Sequence, residues 1–163
     1  LDYAGKRVVV IGSGATAVTL IPSMTDRAAH VTMLQRSPSW FFSLPQNSSA
    51  AEALAKVLPR SLAYRLVRWY RIVFQQIMYK MIRANPEKAG ERLLNLVREQ
   101  LPAGYDVDKH FRPRYNPWDQ RLCVVPDGDL FKAISDGKAS VETDEIDVFV
   151  ENGIRLKSGK TLE

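Results

Sequence analysis

"KRVVVIGSGATAVTLIPSM", residues Lys6 to Met24, decides the fold of this chain. Arg7–Ile11 is a short β-branched run and reads as a strand. It feeds Gly12-Ser13-Gly14-Ala15-Thr16-Ala17, a G-x-G-x-x-A pattern, and a helix opens near Gly14. A second strand-like run, Val31–Leu34, follows at about the distance one βαβ crossover needs. Each small residue has a mechanical task. Gly12 permits the tight turn out of the strand, Gly14 lets a pyrophosphate approach the backbone, and Ala17 lets the helix lie close to the sheet. Free N–H groups of Ser13, Ala15 and Thr16 and the positive end of the helix dipole then suit an anion. Strand before, helix after and strand again select a dinucleotide site over a plain glycine turn. Pro22, late in the helix, predicts a kink or an early end.

The end of the second strand discriminates between cofactors. An NAD site carries a carboxylate there for the ribose 2′-OH. This chain has Gln35-Arg36-Ser37, and Asp26 falls too early to serve. Arg36 offers a charged fork and Ser37 a hydroxyl, which suit a 2′-phosphate that a carboxylate would repel. NADP is therefore preferred over NAD; the alternative for Arg36 is a solvated surface arginine.

With 163 residues the chain can bury one proper core. Its net charge of +5 is spread rather than gathered beside aromatics, which favours a phosphorylated ligand over nucleic acid. No apolar run approaches the roughly 20 residues of a membrane span, and the first residues lack the pattern of a signal peptide. One cysteine, Cys123, excludes an internal disulfide and a Cys-rich metal site, and suits the cytoplasm. It reads as a small buried hydrophobe. His30, at a strand start, and His110, in a loop, have no ligand spacing around them, so no metal is expected.

The remaining chain adds helices and then strands, for an α/β fold with a central parallel sheet, an α-helical insertion and an antiparallel β-meander. Leu58, Leu62, Leu66, Tyr70, Val73, Ile77 and Met81 recur at helical spacing and predict one apolar face of a long helix. Its arginines lie off that stripe. The helix is expected to pack on its own domain, or on another domain of the parent protein, rather than on a membrane surface. Asn85 and Pro86 predict the start of a further helix reaching about Gln100. Ala103 to Pro117 reads as an ordered loop, Asp127-Gly128-Asp129 as the start of a short helix, and Ala139–Glu142 as a strand. Alternation and the turns at Asn152-Gly153 and Ser158-Gly159 predict the meander. Residues 1–43 form the first part of the nucleotide domain, 44–103 the insertion and 104–163 the remainder. Both ends abut strands, so the chain reads as a piece of a longer protein.

"HFRPRYNPWDQRLCVVPDGDLFKAI", residues 110 to 134, is the second distinctive stretch. Together with "GSGATAV" and "LQRSPSW" it resembles class B flavin-dependent monooxygenases, the Baeyer–Villiger and flavin-containing group. The resemblance covers nearly the whole chain, and "PWDQRLCVVPDGDLF" is its specific part. It implies the NADPH domain that interrupts an FAD domain. It further implies a cycle in which NADPH reduces FAD, the reduced flavin captures O₂ as a C4a-peroxide, and a ketone, sulfide or related small molecule is oxygenated. By the same resemblance Arg121 is the active-site arginine that steadies the peroxyanion; a structural salt bridge is the alternative. Gln120 stands where some relatives have a lysine near the cofactor phosphate. The FAD glycine loop, the histidine signature and the Ala-Thr-Gly strand of the family are absent from these residues, so the FAD site is expected mostly elsewhere and the fragment alone inactive. Two rivals stay open: another two-dinucleotide flavoprotein reductase, although no C-x-x-C is present, and a nucleotide-sensing module without catalysis.

Overall fold

In the computed structural model, which describes residues 2–45 and 56–163, three parallel strands place the glycine loop. They are β1 (Arg7–Ile11), β2 (His30–Gln35) and β5 (Ala139–Thr143), in the order β1-β2-β5. Helix α1 (Ala15–Met24) connects β1 to β2. It contains Pro22, which has no N–H to donate to the carbonyl four residues back, and ends two residues later, where the Thr25 N–H and hydroxyl both donate to the Pro22 carbonyl.

Alternation along the strands builds two cores. Val8, Val10, Val31 and Met33 join Ala17, Val18 and Ile21 of α1, and Leu130, Phe131 and Ile134 of α5 (Asp129–Ser135). Val9 and Leu34 point the other way, against Ile154, Leu156 and Leu162. These last residues belong to an antiparallel sheet of β6 (Ile146–Val150), β7 (Gly153–Leu156) and β8 (Thr161–Leu162). The parallel sheet is thus sandwiched between helices and a second sheet.

A separate parallel pair joins β3 (Trp40–Leu44) to β4 (Leu122–Pro126), with Trp40 opposite Leu122 and Leu44 opposite Pro126. Among the described residues, three helices lie between these strands in the chain. They are α2 (Arg60–Ala84), α3 (Pro86–Arg98) and α4 (Val107–Phe111). Asn85 caps α3 as its sequence predicts, its side-chain oxygen accepting from the Lys88 N–H at 3.3 Å. Within 103–117, the expected loop contains α4. Asp106 caps it through the Lys109 N–H, which allows a turn too short to show a period.

Of the two packing surfaces expected for the long helix, its own domain leaves the apolar stripe uncovered. Leu62, Leu66, Tyr70, Val73, Ile77 and Met81 are all exposed, and Ala63 is the residue of α2 that is buried. Periodicity marks an apolar face but does not say what covers it. Leu58 lies just before the helix, and the start expected for the helical region falls partly in 46–55, outside the described residues. Among the described residues no helix is long and apolar enough to cross a membrane.

Helix α3 meets β3 through Gly90, where an added Cβ would lie 2.9 Å from the Trp40 ring. That ring is buried and its indole N–H donates to the Tyr115 carbonyl at 2.8 Å, so it has little room to retreat. In an open helix Gly→Ala stabilises by about 1 kcal/mol. Here overpacking, worth about 1–3 kcal/mol, opposes it. Gly90→Ala is therefore expected to lower the urea midpoint, and a raised midpoint would show that Trp40 yields freely.

Candidate functional site

The carboxyl ends of β1, β2 and β5 open onto one cavity of about 450 Å³. Open parallel sheets bind their ligands at this end of the strands. Gly12, Ser13, Arg36, Ser37, Gln120 and Arg121 all line the cavity, with Gln35, Ser39, Tyr115, Asp144 and Glu145. Segments far apart in sequence thus converge on one opening.

The loop has the backbone its glycines suggest. Gly12 has φ +118°, in the region that favours glycine, and its N–H donates to the Leu34 carbonyl at 2.7 Å. A Cβ on Gly12 would meet nothing within 4 Å, so the space before it is open. Ser13 is buried, its hydroxyl 3.2 Å from that of Ser39. Gly14 is the N-cap of α1, which begins with neither a side-chain cap nor an acidic first turn. Its leading N–H groups are therefore left for an outside acceptor. Ala15 and Thr16 are exposed on the first turn and Ala17 is buried in the main core. These three and Gly14 lie beside the cavity rather than in its lining.

Two cations flank the loop. The Arg121 guanidinium approaches Gly14 so closely that a Cβ there would stand 3.5 Å from its Nη1. Arg36 leaves the end of β2 on the same cavity. Among the described residues, the ion pairs include neither Arg36 nor Arg121. The salt-bridge alternative for Arg121 therefore has no carboxylate partner among the described residues.

Two carboxylates share the cavity. Glu145 is paired with Lys157 at 2.5 Å, which together with the nearby Arg36 charge holds its carboxyl below the usual range. Asp144 is held down by hydrogen bonds from Ser158 and the Glu145 N–H. Both stay ionised but are occupied, which leaves Arg36 available to an anion.

Known proteins are similar to this chain in sequence and in fold. No protein-family model matches the chain. The FAD-containing monooxygenase EthA of Mycolicibacterium smegmatis is 55% identical over 99% of this chain. The probable FAD-binding monooxygenase AlmA of Acinetobacter baylyi is 54% identical over 100% of it. The homologues of this chain are FAD-containing monooxygenases. It spans about a third of their length, 33% in both cases. Among solved structures, a steroid monooxygenase bound to NADP aligns with 100% of the chain and 37% of its own, at TM-score 0.72 and 16% identity. An open form of cyclohexanone monooxygenase aligns at TM-score 0.66 and 16% identity, over 100% of this chain and 39% of its own. At that identity the likeness concerns the fold. The chain thus resembles part of FAD-containing monooxygenases of the Baeyer–Villiger type.

Several residues of this monooxygenase relative have structural surroundings instead. His30 bonds Ser140 at 2.9 Å from the start of β2. His110 sits in α4, not in a loop, with Nδ1 2.8 Å from the Thr143 hydroxyl, and burial keeps it below its usual pKa. Cys123 is buried; burial raises its thiol pKa, against a smaller opposing effect of Arg121. Ser39, Tyr115, Asp144 and Glu145 line the cavity without having been singled out by sequence. Only the acidic pair carried a signal, because it directly follows a strand that proves to be parallel.

Proposed function

We propose that this chain is the NADPH-binding domain of an FAD-dependent monooxygenase that inserts one oxygen atom of O₂ into a ketone, sulfide or related small molecule. The supporting observation is the convergence of Arg36 and Arg121, neither ion-paired among the described residues, on the open glycine loop. In this reading the domain is a Rossmann-like unit with residues 1–43 and 104–163 as its two parts and 44–103 as the insertion. Its FAD partner domain is supplied by the parent chain, in the cytoplasm.

The residues present fit a dinucleotide. Gly12, Gly14 and Ala17 shape the pyrophosphate seat, and the N–H groups of Ser13, Ala15 and Thr16 face it. Arg36 and Ser37 hold the 2′-phosphate. Gln120 offers an uncharged amide beside it, and Arg121 supplies a fixed positive charge at Gly14, where it both holds phosphate and offsets negative charge developing in the reaction. When bound, NADPH supplies the hydride that reduces FAD, and reduced FAD activates O₂. With its FAD site mostly elsewhere, the fragment alone is expected to be inactive.

Fluorescence titration of the full-length protein with NADPH and NADH tests the assignment. NADPH is expected to bind at least about tenfold more tightly, since charge-assisted bonds to the extra phosphate are worth about 1.5–3 kcal/mol. Equal affinities would sink it.

A further inference from the structure

Helix α2 touches the rest of the domain near its C-terminal end, at the turn that leads to Arg121. Tyr79 and Arg83 are four residues apart and so share one face of the helix. The Tyr79 ring meets the Trp118 ring edge-on, with centroids 5.8 Å apart. The Arg83 guanidinium pairs with the Asp119 carboxylate at 2.5 Å. The helix therefore grips two consecutive residues, and Arg121 follows two positions later.

We propose that Tyr79 and Arg83 are positioning residues that hold the 116–121 turn and thereby aim Arg121 at the glycine loop; this rests on the role given to Arg121 above. The turn needs such a hold. Trp118 has φ +71°, a left-handed conformation that is an outlier for a bulky residue and persists only where its surroundings enforce it. Its indole N–H is buried with no hydrogen-bond partner among the described residues, so packing rather than a hydrogen bond holds the ring. The Asp119 N–H closes the turn on the Asn116 carbonyl at 3.0 Å. On its other side Arg121 is fixed by β4, which begins at Leu122, and by the Tyr115 hydroxyl donating to its carbonyl at 3.4 Å.

An exposed ion pair contributes little alone. Arg83–Asp119 acts here with the ring contact on the adjacent residue, and both must be lost before the turn relaxes. The insertion thus does more than extend from the domain. Its last turns set the placement of a cation in the cofactor cavity, even though no residue of α2 lines that cavity.

The test uses full-length protein carrying Tyr79→Ala and Arg83→Ala together, in the wild-type and Arg121→Ala backgrounds. Hydrogen exchange at 116–121 is expected to rise at least about fivefold, with exchange in β1, β2 and β5 unchanged. The kcat/KM for NADPH-dependent oxygenation is expected to fall about tenfold, below the ~100-fold that a 1 Å misplacement can cost. The same pair should have no further effect once Arg121 is alanine, and Tyr79→Phe with Arg83→Lys should restore both readouts. Unchanged exchange, or an equal fall of kcat/KM in both backgrounds, overturns the positioning role. If Arg121→Ala alone leaves kcat/KM intact while exchange rises as expected, the role of Arg121 fails and the hold on the turn stands.

Discussion

Arg121→Ala in the full-length protein is expected to lower the rate of oxygenated product formation by about 100-fold. Removing one preorganised donor from a reacting centre costs about 100- to 1,000-fold. The lower end applies because the Arg121 side chain is exposed in these residues. Its guanidinium lies over Gly14, so part of the loss should appear as a raised KM for NADPH and part in kcat. Arg121→Lys keeps the charge but not the planar fork, and should recover KM better than kcat. Product formed at the normal rate with unchanged NADPH oxidation would show that the proposed role is wrong.

How much of this could be read from the chain depends on how local each feature is. The glycine loop and Arg36 were legible because strand, turn, helix and strand follow one another within one crossover. Strands β3 and β4 were not singled out. "WFFSL" and "LCVVP" are five-residue runs with a helical region between them, and their pairing is a long-range fact that no local period records. Arg121 shows the same limit. Only resemblance pointed to it, because its approach to Gly14 depends on β4 entering beside β3. The α2 stripe is the converse case. Its period was plain, yet Tyr70 is 67% exposed, since a period reports which residues share a face and not what lies against them.

For Arg36→Ala, the expected result is a fall in NADPH affinity of about ten- to 100-fold with NADH affinity unchanged. Loss of charge-assisted bonds to the 2′-phosphate accounts for about 1.5–3 kcal/mol. The acidic wall of the cavity adds to this. Asp144 and Glu145 both stay ionised, and Glu145 is close enough to Arg36 for that charge to lower its pKa. With Arg36 removed, an incoming 2′-phosphate faces these carboxylates with Lys157 already paired to Glu145 and Lys109 acting on Asp144. NADH has no such phosphate and meets no such repulsion. Two consequences follow from the charge argument. Glu145→Gln should recover part of the NADPH affinity lost in Arg36→Ala, and the gap between the wild type and Arg36→Ala should narrow as salt rises, because the cavity is open to solvent. An Arg36→Ala protein that loses NADPH and NADH affinity equally would place Arg36 in the general shape of the site instead, and the preference for the 2′-phosphate would have to lie in Ser37 or Gln120.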